Sequence, residues 1–200
     1  MFPRHRRWMA AGMLLLTALA GFTAWRVHLH HKYKHFAVHE PGMVYRSAWL
    51  DPDTLSELID RHQIRTIINL CDEGEMTPAH WSAERRAAAA AGARLVEIPM
   101  PLSVDVTDHH IGLHLEILQD PDSYPLLVHC QHGVTRTAKF LAIYDIAFRT
   151  MTARDSLAAQ PRFGREEHNV HVRAFARNFE TSHRRVYPAA VPAKLDVLRD

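Results

Sequence analysis

The 200 residues are 47% hydrophobic and 23% charged, enough apolar material for one globular domain with a sizeable core and a modest extension. A formal net charge of +2, with the basic residues scattered outside the N-terminus, argues against nucleic acid as a partner. The two cysteines have no metal-ligand spacing, and no repeat recurs along the chain.

The first element is an uncharged, largely apolar run from Trp8 to Trp25, with Arg4, Arg6 and Arg7 before it and Arg26 after it. As a helix rising 1.5 Å per residue it is about 26 Å long, near the lower limit for crossing a bilayer, with a tryptophan for each interface. Residues 1–27 are therefore expected to be a single-pass membrane anchor. The alternative is a cleaved signal peptide, with Ala18-Leu19-Ala20 as its small-x-small site. Basic residues flank both ends, and the orientation favoured here places the following domain outside the cytoplasm. Residues 28–39 carry His28, His30, His31, His35 and His39 and read as a solvated, weakly cationic spacer near lipid headgroups rather than a metal-binding tract.

Residues 40–182 alternate between strand and helix patterns. Asp51-Pro52-Asp53 opens a short helix carrying Leu55, Leu58 and Ile59, and a strand follows at Thr66–Leu70. Thr77 and Pro78, a cap followed by a first-turn proline, start a helix that ends in Ala87–Ala91 before Gly92. Next come a strand at Leu95–Ile98, a loop, a helix at Thr107–Gln119 with Thr107 as its cap, and a buried strand at Leu126–Val128. Two further helices are expected at Thr152–Gln160 and Glu166–Phe179, and residues 183–200 as a loosely attached tail. Such alternation requires an α/β fold, a mostly parallel or mixed central sheet flanked by helices.

The run after that last strand, His129-Cys130-Gln131-His132-Gly133-Val134-Thr135-Arg136-Thr137, suits attack of a thiolate on a phosphate monoester. A loop closed by a helix start offers backbone N–H groups and the positive end of a helix dipole, so Gln131, His132, Gly133, Val134, Thr135 and Arg136 form a natural phosphate cradle. Arg136 adds a two-pronged guanidinium clamp that lysine could not reproduce. The same positive field prepares Cys130: lowering a thiol pKa by three units corresponds to roughly 4 kcal/mol of preference for the anion. Gly133 fits a sharp turn with close backbone approach, Thr137 is placed to donate its hydroxyl to the sulfur, and His129 to order the loop from behind through backbone contacts. Nothing in this chemistry needs a metal or a cofactor.

The run matches the HCxxGxxR(S/T) signature of the cysteine-based protein tyrosine and dual-specificity phosphatases. Val44-Tyr45-Arg46-Ser47-Ala48, Thr66-Ile67-Ile68-Asn69-Leu70 and Val96-Glu97-Ile98-Pro99-Met100 look like parts of the compact bacterial dual-specificity-like members, so the resemblance spans residues 40–180. It implies the cysteine-phosphatase fold, a phosphocysteine intermediate, and an aspartic general acid on the loop before the helix that precedes the signature strand. Asp105 in that loop is the first choice, followed by Asp108 and then Asp72 or Glu75. Cys71, after Asn69-Leu70, resembles the backdoor cysteine of phosphatase-and-tensin lipid phosphatases, which makes it a candidate disulfide partner of Cys130; the plainer reading is a packed strand-end thiol. Arg46 reads as a surface or sheet-edge arginine outside the catalytic set.

The expected partners are a phosphorylated protein or small phosphomonoester, and a membrane through the N-terminal helix. A phospholipid or phosphoinositide phosphatase is the alternative within the same chemistry, although among Gln131, His132, Val134 and Thr135 only His132 can become cationic. A catalytically silent phosphate-binding module and a rhodanese-like sulfur carrier are the remaining readings. The His before Cys130 and the Arg-Thr ending fit the sulfur carrier less well.

Overall fold

Between Phe22 and Glu40 the sequence contains neither glycine nor proline, and the first helix accordingly runs on past Trp25. The computed structural model describes residues 3–160 and 169–186, in two units, Met1–Tyr33 and Lys34–Asp200. The first unit is helix α1 (Pro3–Tyr33), of which Gly12–Tyr33 is long and apolar enough to cross a membrane. Leu14, Leu15, Leu16, Leu19 and Phe22 are exposed along it. The Thr17 and Thr23 hydroxyls each donate to the carbonyl four residues back at 2.8 Å, leaving no polar group of theirs unsatisfied in an apolar surrounding. His28, His30 and His31, placed in the expected spacer, belong to this helix.

The second unit begins within the stretch expected to be spacer. Lys34 and His35 take left-handed backbone angles, φ 36° and 62°, and strand β1 (Ala37–Glu40) follows. Then come β2 (Val44–Ala48), α2 (Pro52–His62), β3 (Thr66–Asn69), a 3-10 turn (Glu73–Glu75), α3 (Pro78–Ala90), β4 (Arg94–Glu97), α4 (His109–Gln119), β5 (Leu126–Cys130), α5 (Thr135–Phe148), α6 (Ala153–Ala159) and α7 (Val170–Val186). His39 is no solvated residue: its ring nitrogen lies 2.8 Å from buried Asp145, both side chains fully shielded.

The five strands form one mixed sheet in the order β1-β2-β5-β3-β4. β1 runs antiparallel to β2, and β2, β5, β3 and β4 run parallel to one another. β2, β3 and β5 are buried at every residue, the continuous burial expected of central parallel strands covered on both faces. α5 is buried from Arg136 through Phe148 and packs against β5, α4, α6 and α7, which makes it the inner helix of the domain. Because four strands are parallel, the residues following β2, β3, β4 and β5 all emerge at one edge of the sheet, where α/β folds place their sites.

Two expected boundaries shift. α4 begins at His109, with Asp108 rather than Thr107 as its cap: the Asp108 carboxylate accepts from the His110 N–H at 3.0 Å, while the Thr107 hydroxyl is bound to Asp105 at 2.9 Å. A carboxylate is the stronger acceptor at the positive end of a helix. α7 continues to Val186, beyond the point where a tail was expected; residues 166–168 of the expected helix and 187–200 of the expected tail lie outside the described residues.

Candidate active site

β5 ends at Cys130 and α5 begins at Thr135, so the loop between them is short and its backbone tightly held. Trp49 N–H donates to the Gln131 carbonyl at 3.3 Å, and His35 Nδ1 donates to the His132 carbonyl at 2.9 Å. Arg46 Nη2 donates to the Gly133 carbonyl. With three successive carbonyls drawn outward, planar trans peptides turn the N–H groups of His132, Gly133 and Val134 the opposite way, into the concave side of the loop. Gly133 has φ 61°, and a Cβ there would lie 2.4 Å from the Ser47 carbonyl oxygen and 2.6 Å from Ala48 N. Any side chain at this position would therefore push the loop off β2.

Arg46 corrects a reading of the sequence. It is wholly buried, paired in register with Val128, and braces the phosphate loop rather than lying at a surface or sheet edge. The cause is β1, which covers the β2 edge and turns it into an interior strand.

Cys130 is 3% exposed, and Thr137 Oγ1 donates to its Sγ at 3.2 Å. Burial alone would raise the thiol pKa. The Thr137 hydroxyl and backbone N–H, the Arg136 charge and the Val134 N–H outweigh it and hold Cys130 below the ordinary thiol value. Cys71 lies one position beyond Leu70, whose N–H bonds the His129 carbonyl at 2.9 Å. Burial pushes the Cys71 thiol up to about 12, with the charges of Cys130, Glu75 and Glu84 adding to the effect against that of Arg136. The two thiols thus differ in character, the pKa of Cys130 drawn down and that of Cys71 pushed up.

Arg136 points back across the sheet edge. Its Nη1 donates to the Leu70 carbonyl at 3.1 Å, and both terminal nitrogens fork onto the two carboxylate oxygens of Glu75. Partial burial opposes ionisation of Glu75, yet this fork and the Asp72 N–H keep its carboxyl below the usual range. Glu75 is therefore the ionic partner of Arg136. Asp72 caps the 3-10 turn that presents it.

His129 has a side-chain partner in addition to the backbone of Cys130. Its Nε2 lies 2.9 Å from Oε1 of Glu84 on α3, both side chains being almost wholly buried, and Asn69 Nδ2 donates to the other Glu84 oxygen at 2.8 Å. Burial disfavours the imidazolium, but the Glu84 charge and hydrogen bond raise the His129 pKa. A buried carboxylate from α3 thus steadies the residue next to Cys130. The pairing is invisible in sequence, where only the Trp81-to-Glu84 spacing places Glu84 on the buried face of its helix.

The loop after β4 carries Asp105 and Asp108. Asp105 is exposed and Asp108 half-buried, and each carboxyl is held below its ordinary pKa, Asp105 by the N–H and hydroxyl of Thr107, Asp108 by the N–H and ring of His110. Asp108 is committed to capping α4, whereas Asp105 closes only a local turn. Among the described residues, Asp108, His109 and His110 are the one group whose ligand atoms could share a metal ion, and capping accounts for their proximity. Gln131, His132, Val134 and Thr135 line the loop, with Thr135 Oγ1 accepting from Asn169 Nδ2 at 3.0 Å.

A family model described as DSP-PTPase phosphatase fused to NAD+ kinase matches residues 25–178. No curated protein matches the sequence. Among solved structures the chain is similar to the core catalytic domain of the PP-IP phosphatase SIW14 from S. cerevisiae in complex with citrate: identity 21%, TM-score 0.61, covering 76% of this chain and 90% of that one. It is also similar to P. aeruginosa TpbA in complex with pTyr (21%, TM-score 0.58, 76% and 89% covered) and to PTPMT1 (14%, 0.56, 77% and 99%). At these identities the likeness establishes the cysteine-phosphatase fold.

Proposed function

Because the chain belongs to the DSP-PTPase phosphatases, we propose that it hydrolyses phosphomonoesters of protein side chains, phosphotyrosine and phosphoserine or phosphothreonine, through a phosphocysteine at Cys130. The observation that carries the reading is the pairing of a depressed, hydroxyl-bonded thiol with the Arg136 fork on one loop closed by a helix start. The Cys130 thiolate attacks phosphorus, the S–P bond forms, and the ester P–O bond breaks as Asp105 transfers a proton to the leaving oxygen. Asp105, now a carboxylate, takes a proton from water, which attacks phosphorus and releases inorganic phosphate. Thr137 stabilises the departing thiolate. Arg136 and the inward N–H groups of the loop neutralise the phosphoryl oxygens in both steps.

The solved neighbours differ in what their names record, a PP-IP phosphatase in one and a pTyr complex in another. A phospholipid headgroup as substrate is the second reading, favoured by the apolar segment Gly12–Tyr33, which we take as a single-pass anchor with the catalytic domain outside the cytoplasm. Turnover of phosphotyrosine, phosphoserine and phosphothreonine peptides against anionic phospholipid phosphates in mixed micelles, using the full chain, separates the two. Faster turnover of the lipids at equal concentration would overturn the protein-phosphatase reading, and loss of all activity toward both would overturn the phosphatase reading itself.

The acid assignment has its own test. Asp105→Asn is expected to slow hydrolysis of an unactivated phosphate ester about 10²–10⁴-fold, the usual worth of a positioned acid. An aryl ester whose leaving group departs without a proton should be spared. Asp108→Asn should cost helix stability more than turnover, and an equal or larger kinetic loss at Asp108 would move the acid there.

Cys71 is proposed as the resolving thiol for oxidised Cys130. A sulfenic acid formed at Cys130 by peroxide would condense with the Cys71 thiol, forming the S–S bond and releasing water, and a dithiol reductant would restore both thiols. Mass spectrometry after mild peroxide treatment should find the Cys71–Cys130 crosslink, with activity returning on reduction. Over-oxidation of Cys130 without any crosslink would refute the pairing.

A further inference from the structure

Lys139 is a charged residue in a place where an apolar one would suffice. It lies on α5, three residues beyond Arg136, and is only 2% exposed. Burial lowers its pKa, and among the described residues no carboxylate offsets that cost. Its ammonium sits over the Phe175 ring at 5.2 Å and makes one hydrogen bond, to the backbone carbonyl of Leu102 at 2.7 Å. Leu102 opens the segment that ends in Asp105, and its own side chain is 65% exposed, so apolar packing does not hold the backbone at that point. Downstream the segment is secured by buried Val104, whose N–H bonds the Pro101 carbonyl at 3.0 Å. The segment borders a cavity of about 240 Å³ shared with Lys139, His171, Phe175 and Asn178.

We propose that Lys139 is a positioning residue that pins the Asp105 loop to α5, the helix carrying Arg136, and so sets the distance between proton donor and phosphate clamp. The inference rests on the reading of this loop as the acid loop. A misplacement of about 1 Å in such a constellation costs about 10²-fold in rate, while the binding groups on the signature loop are untouched. A merely structural lysine would behave differently. Replacing a buried ammonium that has no counter-ion among the described residues by an apolar chain of similar length is expected to be neutral or favourable to stability, so activity and stability should part company.

The experiment compares Lys139→Met and Asp105→Asn in the full chain with phenyl phosphate, a poor leaving group, and 2,4-dinitrophenyl phosphate, a good one. Lys139→Met is expected to lower kcat/KM for phenyl phosphate about 10–100-fold, to change that for the dinitrophenyl ester by less than about twofold, and to leave Tm unchanged or raised. Combining the two substitutions should cost no more with phenyl phosphate than Asp105→Asn alone. Hydrogen exchange of the 103–107 amides should quicken while α5 stays protected. Equal loss with both esters, or full activity with both, overturns the role of Lys139 whatever Asp105 does. Leaving-group dependence in Lys139→Met but not in Asp105→Asn keeps the pin and moves the acid to another residue of the loop. Should the Met variant fail to fold, Lys139→Gln, which keeps a neutral donor, carries the same series, and an equal loss with both esters overturns the proposal there too.

Discussion

Cys130→Ser is expected to abolish turnover, lowering kcat/KM for an aryl phosphate by at least about 10⁴-fold, because a serine hydroxyl in this loop has no base to ionise it and a thiolate is the attacking species. The loop itself should survive, since Ser keeps the size of Cys and the Thr137 contact. The variant should therefore still bind phosphate and trap phosphorylated substrates. Alkylation provides a second readout in the unmodified protein. The rate of iodoacetate labelling at Cys130 should rise with pH through its lowered pKa and level off below the ordinary thiol value of about 8.5, while Cys71, pushed up to about 12 and buried, stays unlabelled at neutral pH. Residual activity above one part in a thousand in Cys130→Ser would rule out the covalent mechanism.

Arg136→Lys should be nearly as damaging, about 10²–10³-fold in kcat/KM, although the charge is kept. The guanidinium does two jobs that an ammonium cannot do at once: it forks onto Glu75 and bonds the Leu70 carbonyl, which fixes its plane beside the phosphate loop. An ammonium reaching the same pocket offers a point charge without that plane, so both KM and kcat should suffer. Glu75→Gln should reproduce part of the loss by freeing the clamp to wander. If Arg136→Lys retained more than about a tenth of the activity, positive charge alone would suffice and the planar fork would lose its role.

Much of the fold was legible because its signals are local. The Asp51-Pro52 and Thr77-Pro78 starts fall on α2 and α3, and the apolar runs fall on β3, β4 and β5 within a residue or two. β1 was missed because Ala37–Glu40 is four residues of mixed polarity inside a histidine-rich stretch, and it becomes a strand only by pairing with β2. The α4 boundary moved because two adjacent acceptors, Thr107 and Asp108, compete for the cap, and periodicity does not distinguish them. At the site, the residues of the 129–137 run are contiguous, and their shared chemistry could be read from spacing alone.

What braces that run could not be read so. Arg46 reaches Gly133 across 87 residues of chain, His35 reaches His132 across 97, and Arg136 reaches Glu75 across 61. Side chains this far apart carry no mutual pattern in sequence, because which of them meet depends on the strand order. Only the arrangement β2-β5-β3 sets Arg46 on the strand beside Cys130 and Cys71 just past the end of the strand on the other side. By itself the sequence determined the phosphatase signature run at 129–137, the α/β alternation and an apolar N-terminal helix, all properties of neighbouring residues. The tertiary structure decided that a surface-looking arginine is a buried brace, that Glu75 holds the clamp, that Glu84 steadies His129, and that Lys139 reaches Leu102, because burial and pairing are properties of the folded chain.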